Sequence, residues 1–141
     1  MKTLYTAHAT ATGGREGRAE TNDGQLSVTL SRPGGNKPGT NPEQLFACGY
    51  AACFGGALDF IAKQQHVKLN EVKVASEVAL NQDDGGFFIS AVLNVSLPGL
   101  DRAGAEKLVR AAHQMCPYSK ATRNNIKVEL KVNDQPLALA A

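Results

Sequence analysis

The 141-residue sequence predicts one α+β domain spanning residues 1–141, and three observations predict it. β-like runs come in consecutive groups instead of alternating with helices. Two segments open on helix-start residues, Asn41-Pro42-Glu43 and Asp101. Gly-rich turn signals fall between the strand-like runs: Asn22-Asp23-Gly24 and Asp83-Asp84-Gly85-Gly86. The resulting order is three strands, helix, two strands, helix, strand.

Residues 2–12 are Thr-rich and read as a strand broken at Thr12-Gly13-Gly14. Short β-like runs follow near 17–21 and 26–31, joined by the Asn22-Asp23-Gly24 turn, so this part predicts a β-meander. Gly and Pro make residues 32–40 a loop. Asn41 then serves as an N-cap, Pro42 takes the first helical position and Glu43 puts an acid at the positive end of the helix dipole. This central helix is expected to run to about Gln65. Its Gly49, Gly55 and Gly56 each lower helix propensity by up to about 1 kcal/mol, so close packing on a sheet or partner helix has to hold it. Residues 71–80 and 87–97 read as two longer strands, the second ended by Pro98-Gly99. Asp101 caps a second helix through about Met115, with Ala105, Leu108, Val109, Ala112 and Met115 on one face, and Pro117 is expected to stop it right after Cys116. Residues 126–132 alternate as a final strand. The tail after Asp134 predicts no element.

Composition narrows the function. The net charge of +2 comes without a basic stripe interleaved with aromatics, which argues against nucleic acid and against a polybasic membrane anchor. The Met1-Lys2-Thr3-Leu4-Tyr5 start lacks the apolar stretch of a leader, and no run approaches eighteen apolar residues, so the expectation is a chain outside the membrane, in the cytoplasm. Three cysteines, an odd number, speak for thiols that are reduced at rest or cycle catalytically and against a disulfide framework.

Two of those cysteines sit in unlike neighbourhoods. Cys53 lies in the uncharged run from Leu45 to Leu58, so its sulfur needs a polar partner from elsewhere to become a thiolate. Cys116 sits at a helix end against Pro117, where the backbone can bend; a mobile thiol suits a resolving role. Cys48 is five residues before Cys53, about 140° away around a helix, and reads as a small buried hydrophobe facing elsewhere. His113 and Cys116, at i and i+3, are too few ligands for a metal site. Thr12-Gly13-Gly14-Arg15-Glu16-Gly17 lacks the spacing of a phosphate loop and reads as a turn that aims Arg15.

Three stretches resemble one family: Leu4-Tyr5-Thr6-Ala7 with Ala11 to Arg15; Thr40 to Ala47 continuing through Gly49 to Leu58; and Ala112-His113 with Cys116-Pro117-Tyr118-Ser119 and Ala121 to Ile126. Together they resemble the organic hydroperoxide resistance (Ohr) branch of the OsmC/Ohr family over nearly the whole chain. Cys48, where the family has a small residue such as alanine, and a short loop at 33–39 are departures. The resemblance implies antiparallel sheets around central helices in an intertwined homodimer, and a thiol peroxidase with no bound cofactor that reduces alkyl, aryl and fatty-acid hydroperoxides. It implies Cys53 as the peroxidatic and Cys116 as the resolving cysteine, Arg15 and Glu43 as the polar pair at the sulfur, and a dithiol such as a lipoylated protein or dihydrolipoamide as reductant. On this reading Arg15 lowers the Cys53 pKa, Glu43 holds the guanidinium, and Phe46, Phe54, Leu58, Phe87 and Phe88 line the substrate's apolar tail. An OsmC-type peroxidase of broader specificity, a redox-switch binding module and an inert dimerising scaffold are the alternatives. Glu43 and Cys53 are ten residues apart, about 15 Å of helix rise. Either the helix breaks, with Gly49 as the candidate, or Arg15 and Glu43 serve the Cys53 of a second subunit; the Gly- and Ala-rich helix favours the second.

Overall fold

The computed structural model describes residues 1–137. The chain divides into two compact units, residues 1–45 and 46 onward.

The first unit is the predicted meander, trimmed. Strands β1 (Ala9–Thr12), β2 (Arg18–Thr21) and β3 (Ser27–Thr29) form an antiparallel sheet in the order β1-β2-β3. The strand expected from residue 2 begins only at Ala9, because β2 offers four residues and the ladder from Ala9↔Thr21 to Thr12↔Arg18 uses all of them. Asn22-Asp23-Gly24 makes the turn as read: Asp23 accepts from the Thr21 hydroxyl and the Gln25 N–H, and Gly24 takes φ 75°. After the loop, a bridge between Leu30 and Thr40 brings the chain to the start of helix α1 (Pro42–Gln64).

Helix α1 starts where its signals put it. The Asn41 side chain accepts from the Gln44 N–H at 2.9 Å. Its buried Tyr50, Phe54, Ala57 and Leu58 are spaced i, i+4, i+7 and i+8, one face of a 3.6-residue helix. The helix is continuous through Gly49, so the break considered there does not occur. By length and composition α1 is apolar enough to cross a membrane, contrary to the expectation that no such stretch exists. Tyr50, Phe54 and Leu58 nonetheless join the core of the second unit, as in the central helix of a packed domain.

The second unit adds β4 (Lys73–Asp83), β5 (Gly86–Ser96), helices α2 (Arg102–Met115) and α3 (Pro117–Thr122), and strands β6 (Val128–Val132) and β7 (Gln135–Leu137). The sheet order is β4-β5-β6-β7. It is mixed, not wholly antiparallel. β5 and β6 run parallel, with Ala91↔Val128 through Val95↔Val132 in register, since the two helices between them form the crossover a parallel pair requires. Alternate residues Ala91, Leu93 and Val95 of β5 and Leu130 and Val132 of β6 face the core. Asp101 caps α2 by accepting from Gly104 N–H at 2.8 Å. Ala105, Leu108, Val109 and Ala112 are buried as read, but Met115 is exposed and His113 turns inward. Pro117 ends α2 and also starts α3, which the sequence reading missed along with β7. The remainder of the tail, residues 138–141, lies outside the described residues.

Candidate active site

In the first unit, Arg15 occupies a 3₁₀ turn, Gly14–Glu16, between two glycines the backbone demands. Gly13 takes φ 80°, and a Cβ on Gly17 would lie 1.6 Å from the Thr12 carbonyl oxygen. So framed, the Arg15 guanidinium grips Glu43 with both ends: Nη1 donates to Oε2 at 2.8 Å and Nη2 to Oε1 at 2.6 Å. This fork-to-fork pairing fixes the plane of the guanidinium as well as its position. The Glu43 carboxylate is held below its ordinary range, first by the hydrogen bonds from Arg15, with burial opposing. The carboxylate raises the Arg15 pKa in return.

In the second unit, the Cys53 and Cys116 sulfurs stand 3.4 Å apart as free thiols, with Cys116 donating to Cys53. Cys53 is partly exposed, while Cys116 is fully buried. The mobile Cys116 expected from its place beside Pro117 is instead clamped. Its N–H donates to Ala112 O at 2.8 Å, and its carbonyl accepts from Lys120 N–H at 3.0 Å, because Pro117 starts a new helix instead of releasing the chain. Burial pushes the Cys53 thiol pKa up, Cys116 adds to that, and a hydrogen bond from the Tyr118 backbone N–H pulls it down. Cys48 is exposed, not the buried small hydrophobe the sequence suggested, since its side of α1 lies opposite the core-facing residues.

A family model described as OsmC-like protein matches residues 34–131. The chain belongs to the OsmC/Ohr family. Within it, the organic hydroperoxide resistance protein of Xanthomonas axonopodis pv. citri is 55% identical over 134 residues, covering 92% of this chain and 94% of that protein. Two solved structures agree in fold. An organic hydroperoxide resistance protein from Vibrio cholerae, with captopril in one of its active sites, superposes with a TM-score of 0.92 at 44% identity, covering 97% of each chain. OhrB of Bacillus subtilis gives 0.88 at 48% identity, covering 93% of this chain and 100% of that one.

In this OsmC/Ohr member the predicted catalytic residues form two pairs, Arg15–Glu43 within one unit and Cys53–Cys116 within the other. The five apolar residues read as a substrate lining fare unevenly. Phe54 and Leu58 are fully buried core residues, so their surface is already spent on packing. Phe46 is partly buried and meets the Tyr118 ring at 5.8 Å, whereas Phe87 and Phe88 are exposed at the start of β5. Sequence reasoning assigned no role to Tyr50, Tyr118, Ser119 or Thr122. Tyr118 packs against Tyr50 and Phe46, and the hydroxyls of Tyr50, Ser119 and Thr122 form one buried hydrogen-bonded group. The signal available was the Tyr-Ser pair following Cys116-Pro117, polar groups placed beside a candidate thiol.

Proposed function

We propose that this protein is a thiol-dependent peroxidase that reduces organic hydroperoxides to alcohols. The observation that carries the reading is the 3.4 Å approach of the two free sulfurs, one accessible and one buried. The Cys53 thiolate attacks the distal peroxide oxygen; the O–O bond breaks, the alkoxide leaves and takes a proton as the alcohol, and Cys53 becomes a sulfenic acid. The Cys116 thiol then attacks that sulfur. An S–S bond forms, and the thiol proton leaves with the hydroxyl as water. An external dithiol, for which lipoyl groups are the proposed source, takes over the disulfide by exchange and restores both thiols.

The thiolate needs a cation, because burial alone holds the Cys53 thiol protonated. Arg15, oriented by Glu43, is the proposed donor, and it acts on the Cys53 of a second copy. Unbroken α1 puts about 15 Å of rise between Glu43 and Cys53, which supports supply across a two-fold homodimer. Two surfaces support that dimer. Strands β1, β2 and β3 contain no buried residue, and a three-stranded sheet needs a covered face to be stable. Along α1, Cys48 and Ala52 are exposed and Gly56 has open space before it, a small-residue row at i, i+4 and i+8 on which a second helix could pack closely. A cytoplasmic setting fits a chain whose thiols must return to the reduced state.

Steady-state consumption of cumene hydroperoxide with dihydrolipoamide tests the reading. Turnover that exceeds consumption of hydrogen peroxide under the same conditions is expected. A single oxidation without turnover would reassign the thiol pair to a redox switch.

A further inference from the structure

Around Cys116, a chain of hydroxyls and one imidazole ties the three helices together. His113 Nδ1 lies 2.9 Å from Ser119 Oγ, Ser119 Oγ 2.9 Å from the Tyr50 hydroxyl, and that hydroxyl 3.1 Å from Thr122 Oγ1. Tyr50 and Ser119 are fully buried, and Thr122 and His113 nearly so. Such a network stabilises one arrangement only if every member is satisfied.

Proton counting shows that its three hydroxyls are. Thr122 donates its single hydroxyl proton to the Ser119 carbonyl at 3.1 Å, so the Tyr50 hydroxyl donates to Thr122 Oγ1. Ser119 therefore donates to Tyr50, and His113 Nδ1–H donates to Ser119. Each hydroxyl gives one proton and accepts one. Burial, and then the positive charge of Arg123, lower the His113 pKa, which keeps the imidazole neutral. Arg123 also closes the group from outside, its Nη2 donating to the His113 carbonyl at 2.6 Å.

The anchors bracket both sulfurs. Tyr50 lies three residues before Cys53 on α1, His113 three before Cys116 on α2, and Ser119 three after it on α3. We propose that this hydrogen-bonded chain is a latch that sets the approach of the Cys116 thiol to Cys53, with Tyr50, Ser119, Thr122 and His113 as positioning residues for disulfide formation. The proposal rests on the thiol-peroxidase reading above. A sulfenic acid at Cys53 has two fates: attack by Cys116, which yields the disulfide and water, or attack on a second hydroperoxide, which yields a sulfinic acid and an alcohol. The latch governs the first and leaves the second untouched. A misplacement of about 1 Å at reacting atoms can cost roughly a hundredfold in rate, so a loosened latch shifts the partition toward the sulfinic acid.

The experiment oxidises Tyr50→Phe, Ser119→Ala and Thr122→Val with graded cumene hydroperoxide and measures disulfide and sulfinic acid by intact mass. Stopped flow measures the first oxidation in parallel. The expected result is a first step within about threefold of the parent and a sulfinic fraction at least about tenfold higher at equal peroxide. Thr122→Ser, which keeps the hydroxyl, should restore the parental partition. If Tyr50→Phe does not fold, Ser119→Ala and the Thr122 pair carry the same comparison. Folded variants that partition like the parent overturn the latch. Cys116→Ser in the parent separates the two levels of the argument. If it forms sulfinic acid while the latch variants do not, only the latch fails; if it forms none, the resolving role of Cys116 fails and the latch falls with it.

Discussion

A Cβ built on Gly49 would stand 2.8 Å from the Tyr118 hydroxyl oxygen and 3.2 and 3.3 Å from two carbons of its ring. Tyr118 thus lies directly across the α1 backbone at a position that offers no side chain to prevent it. The three glycines of α1 consequently do different things. At Gly55 the nearest atoms, on Val72 and Val74, are 3.8 and 3.9 Å away, ordinary contact distances, and Gly56 has nothing within 4 Å.

Gly55→Ala is therefore expected to stabilise the fold by about 0.5–1 kcal/mol through helix propensity and a less flexible unfolded chain. Gly49→Ala gains the same propensity but displaces the Tyr118 ring, and is expected to be neutral or destabilising. Denaturant melts of Gly49→Ala, Tyr118→Leu and the double variant check the mechanism. The clash predicts a favourable coupling of at least about 0.5 kcal/mol between the two changes. Strict additivity would mean that the ring is not what keeps position 49 bare.

The three thiols should separate cleanly. Cys53→Ser abolishes peroxide turnover. Cys116→Ser permits one oxidation and then drives Cys53 to the sulfinic acid, because no thiol stands within 3.4 Å to trap the intermediate. Cys48→Ala leaves turnover within a few-fold, since Cys48 is exposed on a side of α1 away from the core-facing residues. Peroxide consumption with intact mass checks all three. Full multiple turnover by Cys53→Ser, or a mapped disulfide involving Cys48, would contradict the assignment.

What the sequence made legible was local chemistry. Asn41 and Asp101 announced their helices because an N-cap acts within three residues, and Asn22-Asp23-Gly24 announced its hairpin for the same reason. The unlike settings of Cys53 and Cys116 were legible, although their 3.4 Å approach, one sulfur partly exposed and one buried, was not. The parallel pairing of β5 with β6 was not, because it depends on a crossover spanning both helices between them. Helix α3 was hidden because Pro117 stops one helix and starts another with the same fixed φ. The Tyr50–Ser119–His113 chain was out of reach for a similar reason. No periodicity links position 50 to position 119, and each of these residues taken alone is an ordinary helix position.

Two pH windows follow from the shifted groups. The His113 pKa is lowered below 6.5 in the folded chain, so as pH falls past about 6.5 the unfolded chain binds a proton that the native state refuses. Stability should decline from there, by at most about 1.4 kcal/mol per pH unit, until the folded value is reached. The Glu43 pKa is lowered below 4.5, so the pairing with Arg15 contributes fully above that pH and is lost as pH falls through the folded value. Unfolding free energies of the parent and His113→Asn between about pH 7.5 and about pH 3 test this. The variant should be flatter as pH falls below about 6.5 and should share the loss below about 4.5. Equal slopes in the upper window would show that His113 is not buried as the neutral ring.

The last prediction concerns Arg15 as the proposed cation for Cys53. Unbroken α1 holds Glu43 and Cys53 about 15 Å apart along its axis, more than a bidentate Arg15–Glu43 pair spans. In a two-fold dimer, each guanidinium would serve the other subunit's sulfur. Cys53→Ser homodimers lack the nucleophile, and Arg15→Ala homodimers lack the cation, so both should be inactive. A mixed dimer has both defects in one site and neither in the other, because the intact Arg15 of the Cys53→Ser chain faces the intact Cys53 of the Arg15→Ala chain. Subunit exchange should therefore restore activity, up to one working site per mixed dimer. Native mass spectrometry establishes that exchange has occurred, and hydroperoxide consumption reads the recovery. Mixed dimers that form and stay inactive would place Arg15 in the service of its own chain, and the two-fold arrangement of the site would have to be abandoned.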